Sequence, residues 1–287
     1  MEREYNIKAY AKINLSLDVV GKREDGYHDL KMVNQCIDLS DDITLAVTNT
    51  GEIEVRTNLR YLPNKENIAY RAAALFYEKT KLPFSGLSIQ IEKRIPVGAG
   101  LGGGSADGAA VLWGLCQLHD YAVEQKTLCE WGLLVGADVP FCILGRTALA
   151  EGVGEILNEL TPLKDCHILL VKPKFSISTA SVFAKLDWKS LINRPDTEGL
   201  IEAIRRRDLR GIAVRLYNVL ETVTGSENGI ISHIKNKMID LGAAGAVMSG
   251  SGPTVFSVFE EEDAAQKAYS HFKELFEETF LCRPVSR

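Results

Sequence analysis

The sequence predicts an α+β protein of two domains. Three observations carry the prediction. Short strand-like runs fill the first third of the chain, helical periodicity dominates after His167, and a glycine-rich loop joins a strand to a helix in between. The shift from strand-rich to helix-rich composition falls near Leu160–Asp165, which divides the chain into 1–162 and 163–287.

In order along the chain, Ala9–Val20 (AYAKINLSLDVV) is apolar with partial alternation and reads as a strand. A turn-rich break, GKREDGYHDL, follows, with Asp25-Gly26 as its hairpin signal. Leu30–Leu39, Ile43–Val47 and Ile53–Arg56 read as further strands, separated by Asp41-Asp42 and by Asn49-Thr50-Gly51. Asn67–Lys79 has helical periodicity, and Leu87–Ile95 alternates as a strand. Beyond the glycine loop, Ala106–Leu118 is helical with Ser105 as the expected N-cap. His167–Val171 is a strand. Thr179–Leu186, Thr197–Arg206, Asp208–Thr222 and Gly229–Leu241 read as helices. Two apolar runs then flank a second glycine cluster, Ser249–Pro253, and a helix over 262–277 follows.

Composition narrows the function. The chain has 287 residues, 46% apolar and 25% charged, with a net charge of −5. Binders of phosphate backbones carry a basic surplus, so nucleic acid is disfavoured as the main partner. No apolar run reaches the roughly 18 residues of a membrane span, and the first residues do not resemble a secretory signal. The six cysteines are dispersed, with no C-x-x-C pair, so neither a zinc site nor a disulfide framework is expected. A cytoplasmic protein with buried reduced thiols is expected.

The stretch PVGAGLGGGSADGAA (Pro96–Ala110) holds six glycines in fifteen residues. Glycine forgoes packing and carries a backbone entropy cost, so such density marks a sharp bend or a close approach. Strand, glycine loop and helix together form an anion cradle, because amides at a helix N-terminus lack partners and the dipole there is positive. Gly98, Gly100 and Gly103 satisfy G-x-G-x-x-G, but no strand follows the helix as a dinucleotide fold requires. Gly98, Gly103 and Ser105 match a P-loop except that Gly104 stands where its lysine belongs. What remains is a phosphate loop whose lysine comes from elsewhere, or a turn with no ligand; a turn needs one or two glycines, not six.

Lys12 is a candidate for that lysine. Alternation puts Lys12 and Asn14 on one face of their strand, opposite Ala11, Ile13 and Leu15, although an exposed lysine on a half-solvated sheet is the commoner reading of such a position. Asp138, in GADVPF among apolar neighbours, suits either a cap or a proton acceptor for an attacking hydroxyl. A phosphate cradle, a lysine and a semi-buried aspartate are the parts of phosphoryl transfer, which needs mainly positioning and charge neutralisation.

Four stretches, AKINLSLDVVGKREDGYHDL, PVGAGLGGGSADGAA, GADVPF and AAGAVMSGSGPTVF, occur in this order and resemble the motifs of the superfamily of galactokinase, homoserine kinase, mevalonate kinase and phosphomevalonate kinase (GHMP kinases). DGYHDL and GADVPF narrow the likeness to those members that phosphorylate a cytidine diphosphate-linked methylerythritol. The resemblance implies a two-domain GHMP-kinase-like fold with the active site in the cleft between domains. It implies ATP as cosubstrate with Mg2+, and a monomer or homodimer acting on that small molecule.

By matching position, the resemblance makes Lys12 and Asp138 the catalytic pair: Asp138 takes the hydroxyl proton, and Lys12 stabilises the carboxylate and polarises the reacting groups. Main-chain groups of Pro96, Val97, Gly98, Ala99, Gly100, Leu101, Gly102, Gly103, Gly104, Ser105 and Ala106 would wrap the ATP phosphates, with Asn67 and Lys93 near the nucleotide. Asn14 would stand beside the catalytic pair and Thr254 beside a substrate phosphate. Tyr27, His28 and Phe183 would hold the cytosine, where stacking contributes roughly 1–3 kcal/mol per base. Without the resemblance, Tyr27 and His28 read as surface turn residues and Phe183 as core. The loop reads GLGGGSA rather than the serine-rich GLSSSA of some superfamily members, so Ser105 is its one hydroxyl and no protein ligand for the metal is predicted.

Overall fold

Two long strands, β1 (Glu4–Lys22) and β2 (His28–Val47), open the chain in the computed structural model, which describes residues 3–59 and 66–286. The turn between them forms at the expected Asp25-Gly26: the Asp25 carboxylate accepts the Tyr27 amide at 3.0 Å, and Gly26 has φ +88°. The expected break at Asp41-Asp42 does not occur. Aspartate usually interrupts strands because its side chain competes for backbone groups. Here the buried Asp41 carboxylate is occupied by Lys93 and by the amides of Arg94 and Ile95, and β2 continues through it.

The chain forms two compact units, each assembled from separate segments, and β1 and β2 contribute residues to both. The first comprises Met1–Ala11, Leu39–Ile95 and Gly102–Gly145. In it β3 (Ile53–Thr57) runs parallel to β4 (Leu87–Glu92), and β4 pairs antiparallel with β2 from Asp42 opposite Glu92 to Val47 opposite Leu87. The alternation read in β4 holds: Leu87, Ile89 and Ile91 are buried. Four helices complete the unit: α1 (Ile68–Thr80), α2 (Gly103–Leu118), α3 (Gln125–Val135) and α4 (Val139–Leu144). The Asn67 side chain caps α1. Helix α2 packs on α1, α3 and α4, and it buries residues around most of its circumference, including Ala106, Ala110, Val111 and Leu115.

The second unit comprises Lys12–Asp38, Pro96–Leu101 and Arg146–Arg287. β5 (Ala148–Gly152) pairs antiparallel with β2 over Leu30–Asn34 and with β6 (Ile156–Glu159). Then come β7 (His167–Lys172), α5 (Thr179–Lys185), α6 (Thr197–Arg206), α7 (Leu209–Ala213), β8 (Tyr217–Asn218), α8 (Glu221–Glu227) and α9 (Gly229–Asp240). The last elements are β9 (Gly245–Met248), β10 (Val255–Phe259), α10 (Glu262–Leu275) and β11 (Glu278–Cys282). An antiparallel sheet in the order β11-β7-β10-β9 carries α9 and α10 against it. Leu169, Val171, Ile234, Phe259 and Phe272 share its core with Leu17 of β1.

The single helix expected over Asp208–Thr222 is instead α7, β8 and the start of α8. Two contacts override helical propensity there. β8 pairs parallel with β1 at Ser16 and Leu17, and the Asn218 amide donates to the carbonyls of Met248 and Gly250 at 2.8 and 2.7 Å. Five of the six cysteines are buried and Cys129 is half-buried. Burial pushes the thiols of Cys116 and Cys129 up to about 11 and that of Cys166 up to about 12. No helix among the described residues is long and apolar enough to cross a membrane.

Candidate active site

The glycine loop is bent at alternate residues. Gly98, Gly100 and Gly102 have φ of +63°, +76° and +69°, values that side-chain-bearing residues adopt only with strain. Within the second unit the loop touches two other segments. The Lys12 amide donates to the Leu101 carbonyl at 3.0 Å, and the Ser249 hydroxyl donates to the Gly100 carbonyl at 2.9 Å. A Cβ on Gly100 would lie 2.1 Å from the Ser249 carbonyl oxygen, so only glycine lets the two glycine turns meet backbone to backbone.

At the other end, in the first unit, the loop becomes helix α2. The cap is Gly102 rather than the expected Ser105, and no side chain occupies it. Ala106 makes the first intrahelical bond, to the Gly102 carbonyl at 2.9 Å, so the amides of Gly103, Gly104 and Ser105 form the open positive end of the helix. Ser105 lies in the first turn, where a serine cap would have consumed an amide that the open end leaves available for an anion. Its hydroxyl comes within 3.8 Å of where a Cβ on Gly136 would stand, two residues before Asp138.

Lys12 is not the exposed lysine of a half-solvated sheet. Residues 11–19 of β1 are buried on both faces, and Lys12 itself is 4% exposed. Its Nζ donates to Asn14 Oδ1 at 2.8 Å, and the Asn14 amide donates to Asn34 Oδ1 at 2.7 Å. A Cβ on Gly250 would lie 3.5 Å from Asn14 Oδ1. Lys12, Asn14, the Gly100–Leu101 end of the loop and the second glycine cluster are therefore neighbours within one unit. Thr254 is fully buried, and its hydroxyl has no hydrogen-bond partner among the described residues.

Asp138 is half-buried at the N-terminus of α4, and its side chain does not cap that helix. Asn67 Oδ1 accepts the Ala69 amide at 2.9 Å. Lys93 is buried with its Nζ 2.5 Å from Asp41 Oδ2 and 2.6 Å from Asp107 Oδ2. Burial pushes the Asp107 carboxyl up to about 7 against the pull of Lys93. Burial alone lowers Lys93, but the two carboxylates outweigh it and hold the ammonium above its ordinary value.

His28 and Phe183 stack with ring centroids 5.1 Å apart and planes inclined by 25°. Tyr27 beside them is 62% exposed. Burial, aided by Lys22, lowers His28 below its ordinary value, which favours the neutral ring. Phe183 of α5 is thus half-buried beside an exposed turn.

Sequence reasoning missed Asn34, Asp41, Asp107, Asn218 and Ser249. Asp107 did carry a signal: it is the one charged residue in the apolar helix that follows the loop. Ser249 lies in the second glycine cluster that the sequence shows; Asn34, Asp41 and Asn218 gave no signal, because their partners are distant in sequence.

These features define a class. Residues 67–146 match the family described as GHMP kinases N terminal domain, and residues 200–278 match GHMP kinases C terminal. The fold is that of the GHMP kinases, and the chain is a small-molecule kinase, a class that uses ATP. A 4-diphosphocytidyl-2-C-methyl-D-erythritol kinase of Acetivibrio thermocellus is 47% identical over 98% of this chain and 99% of its own. One of Alkaliphilus metalliredigens is 45% identical, over 99% and 98%. A crystal structure of 4-(cytidine 5'-diphospho)-2C-methyl-D-erythritol kinase is similar with a TM-score of 0.81 at 32% identity, covering 98% of this chain and all of that one. Homoserine kinase from Cytophaga hutchinsonii, at 18% identity and a TM-score of 0.79, shares the fold. The chain belongs to the 4-diphosphocytidyl-2-C-methyl-D-erythritol kinase family.

Proposed function

We propose that the chain transfers the γ-phosphoryl group of ATP to the 2-hydroxyl of 4-diphosphocytidyl-2-C-methyl-D-erythritol, a step of non-mevalonate isoprenoid precursor biosynthesis. The observation that carries this reading is the buried Lys12, whose main-chain amide is bonded to the glycine loop at Leu101. An ammonium held in that way supplies the charge that the loop, with Gly104 in place of a P-loop lysine, lacks.

In this reading the loop amides over 96–106 hold the phosphates, and the open end of α2 adds its dipole. The substrate hydroxyl attacks the γ-phosphorus and gives its proton to Asp138. The bond from phosphorus to the bridging oxygen breaks, and ADP leaves. Lys12, oriented by Asn14, offsets the charge on the reacting groups. Tyr27, His28 and Phe183 receive the cytosine; a neutral His28 ring offers one donor and one acceptor to the base edge.

Mg2+ accompanies ATP in this proposal. The Ser105 hydroxyl, a hard oxygen at the first turn of α2, fits its preference and would hold it together with phosphate oxygens, where it would neutralise phosphate charge. We further propose a division of labour along the sequence, residues 1–162 carrying ATP binding and 163–287 completing the enzyme; the two family matches lie on either side of it, while the compact units interleave across it. We also propose a cytoplasmic location, which the buried thiols suit, and a monomer or homodimer.

Turnover of the cytidyl substrate tests the function directly. Lys12→Ala and Asp138→Ala are each expected to lower kcat by about a hundredfold or more while the Kd for ATP changes little. Turnover of mevalonate or homoserine in place of the cytidyl substrate would overturn the assignment.

A further inference from the structure

Asp41, Lys93 and Asp107 meet in the first unit, and the last two lie on either side of the glycine loop in the chain. Asp41 lies in β2, Lys93 directly follows β4, and Asp107 is in the second turn of α2. Lys93 Nζ bridges the two carboxylates, donating to Asp41 at 2.5 Å and to Asp107 at 2.6 Å. The other Asp41 oxygen accepts the amides of Arg94 and Ile95 at 2.6 and 2.8 Å. The cluster therefore grips the chain just before the loop, at 93–95, and just after it, at the start of α2. The two ends also meet directly: a Cβ on Gly103 would lie 2.9 Å from Ile95 Cγ2 and 3.6 Å from Lys93 Nζ.

The three side chains are 0–5% exposed. An ammonium bonded at that depth to two carboxylates has its charge taken up inside the protein, so it is not a free cation for a phosphate. Asp107 Oδ1 has no hydrogen-bond partner among the described residues, so the described hold of Asp107 on the strand end is its bond to Lys93.

We propose that Asp41, Lys93 and Asp107 are positioning residues that fix both ends of the glycine loop and thereby set its affinity for ATP. This rests on reading the loop as the ATP site. Lys93 then acts through the backbone and not as a ligand of the nucleotide.

The test is steady-state kinetics with ATP and the cytidyl substrate varied in turn, together with ATP Kd by calorimetry, on the full-length enzyme. Asp107→Ala is expected to raise KM and Kd for ATP about tenfold, the factor a hydrogen bond to a charged group commands, and to leave KM for the cytidyl substrate within about twofold. Asp107→Asn keeps an acceptor for Lys93 and is expected to restore most of the loss. Unchanged ATP affinity in Asp107→Ala overturns the proposal. So does tighter ATP binding, which would mean that a released Lys93 reaches the nucleotide. A parallel rise in both KM values also overturns it. Should Asp107→Ala not fold, Asp41→Asn keeps an acceptor for the two amides but can turn a donor toward Lys93; absence of an ATP-selective rise there overturns the proposal as well. A wild-type enzyme inactive on the cytidyl substrate refutes the proposed function alone, because the ratio of ATP Kd values still decides the role of the cluster.

Discussion

Gly100→Ala tests whether the two glycine turns hold each other. At φ +76° any L-residue carries a penalty of about 1–2 kcal/mol. The new Cβ would stand 2.1 Å from the Ser249 carbonyl oxygen and 3.2 Å from the Gly252 amide. Ordinary carbon contacts need roughly 3.5 Å, so the turns must part by about 1 Å or more. Parting breaks the 2.9 Å bond from the Ser249 hydroxyl to Gly100, a loss of about 1 kcal/mol. The expected cost in stability is about 2–3 kcal/mol, small enough to leave the fold. The cost in function is larger, because a displacement near 1 Å in a positioning element lowers rate by about a hundredfold. The assay is kcat/KM for ATP beside the thermal melt. Gly229→Ala serves as the control: nothing lies within 4 Å of its Cβ, and its φ is outside the strained range. It should be neutral or gain up to about 1 kcal/mol from helix propensity. A Gly100→Ala enzyme with wild-type kcat/KM would refute the reasoning, since the loop would then not depend on its contact with Ser249.

Asp107 makes stability depend on pH. Its carboxyl is raised from an ordinary 3.8 to about 7 in the folded protein, so the folded state holds more protons than the unfolded chain between those values. Its contribution is therefore whole below pH 3.8 and is lost as pH rises through about 7; urea melts should show wild type losing stability relative to Asp107→Asn from about pH 4 to about pH 7, and a flat difference over that range would contradict this. The loss is at most about 4 kcal/mol. Phe183→Ala removes the ring stacked on His28 and should raise KM for the cytidyl substrate about tenfold, with KM for ATP unchanged; an equal rise in both would tie Phe183 to packing alone.

The parts of the site that rest on local pattern were legible in the sequence. The glycine loop announced itself by density and by its place between strand and helix. Alternation put Lys12 and Asn14 on one face, and they are hydrogen-bonded there. What was not legible depends on partners far along the chain. Asp41-Asp42 reads as a break until Lys93, 52 residues on, accounts for its burial. Asp208–Thr222 reads as helix until Asn218 meets the carbonyls of Met248 and Gly250 and β8 meets β1. Ser105 has the chemistry of a cap, but a left-handed Gly102 starts the helix earlier. The strands β5, β6 and β11 and the helix α4, each of four to six residues, were also missed.

The buried sulfurs give the molecule a built-in reporter of its own breathing. A thiol shielded from water and held near 11 or 12 presents almost no thiolate, so an alkylating reagent must wait for its surroundings to open. Cys116 sits in the helix that follows the glycine loop and Cys166 just before β7, one in each unit. Their separate labelling rates, with and without nucleotide, would reveal which half of the chain yields first and which one a ligand tightens.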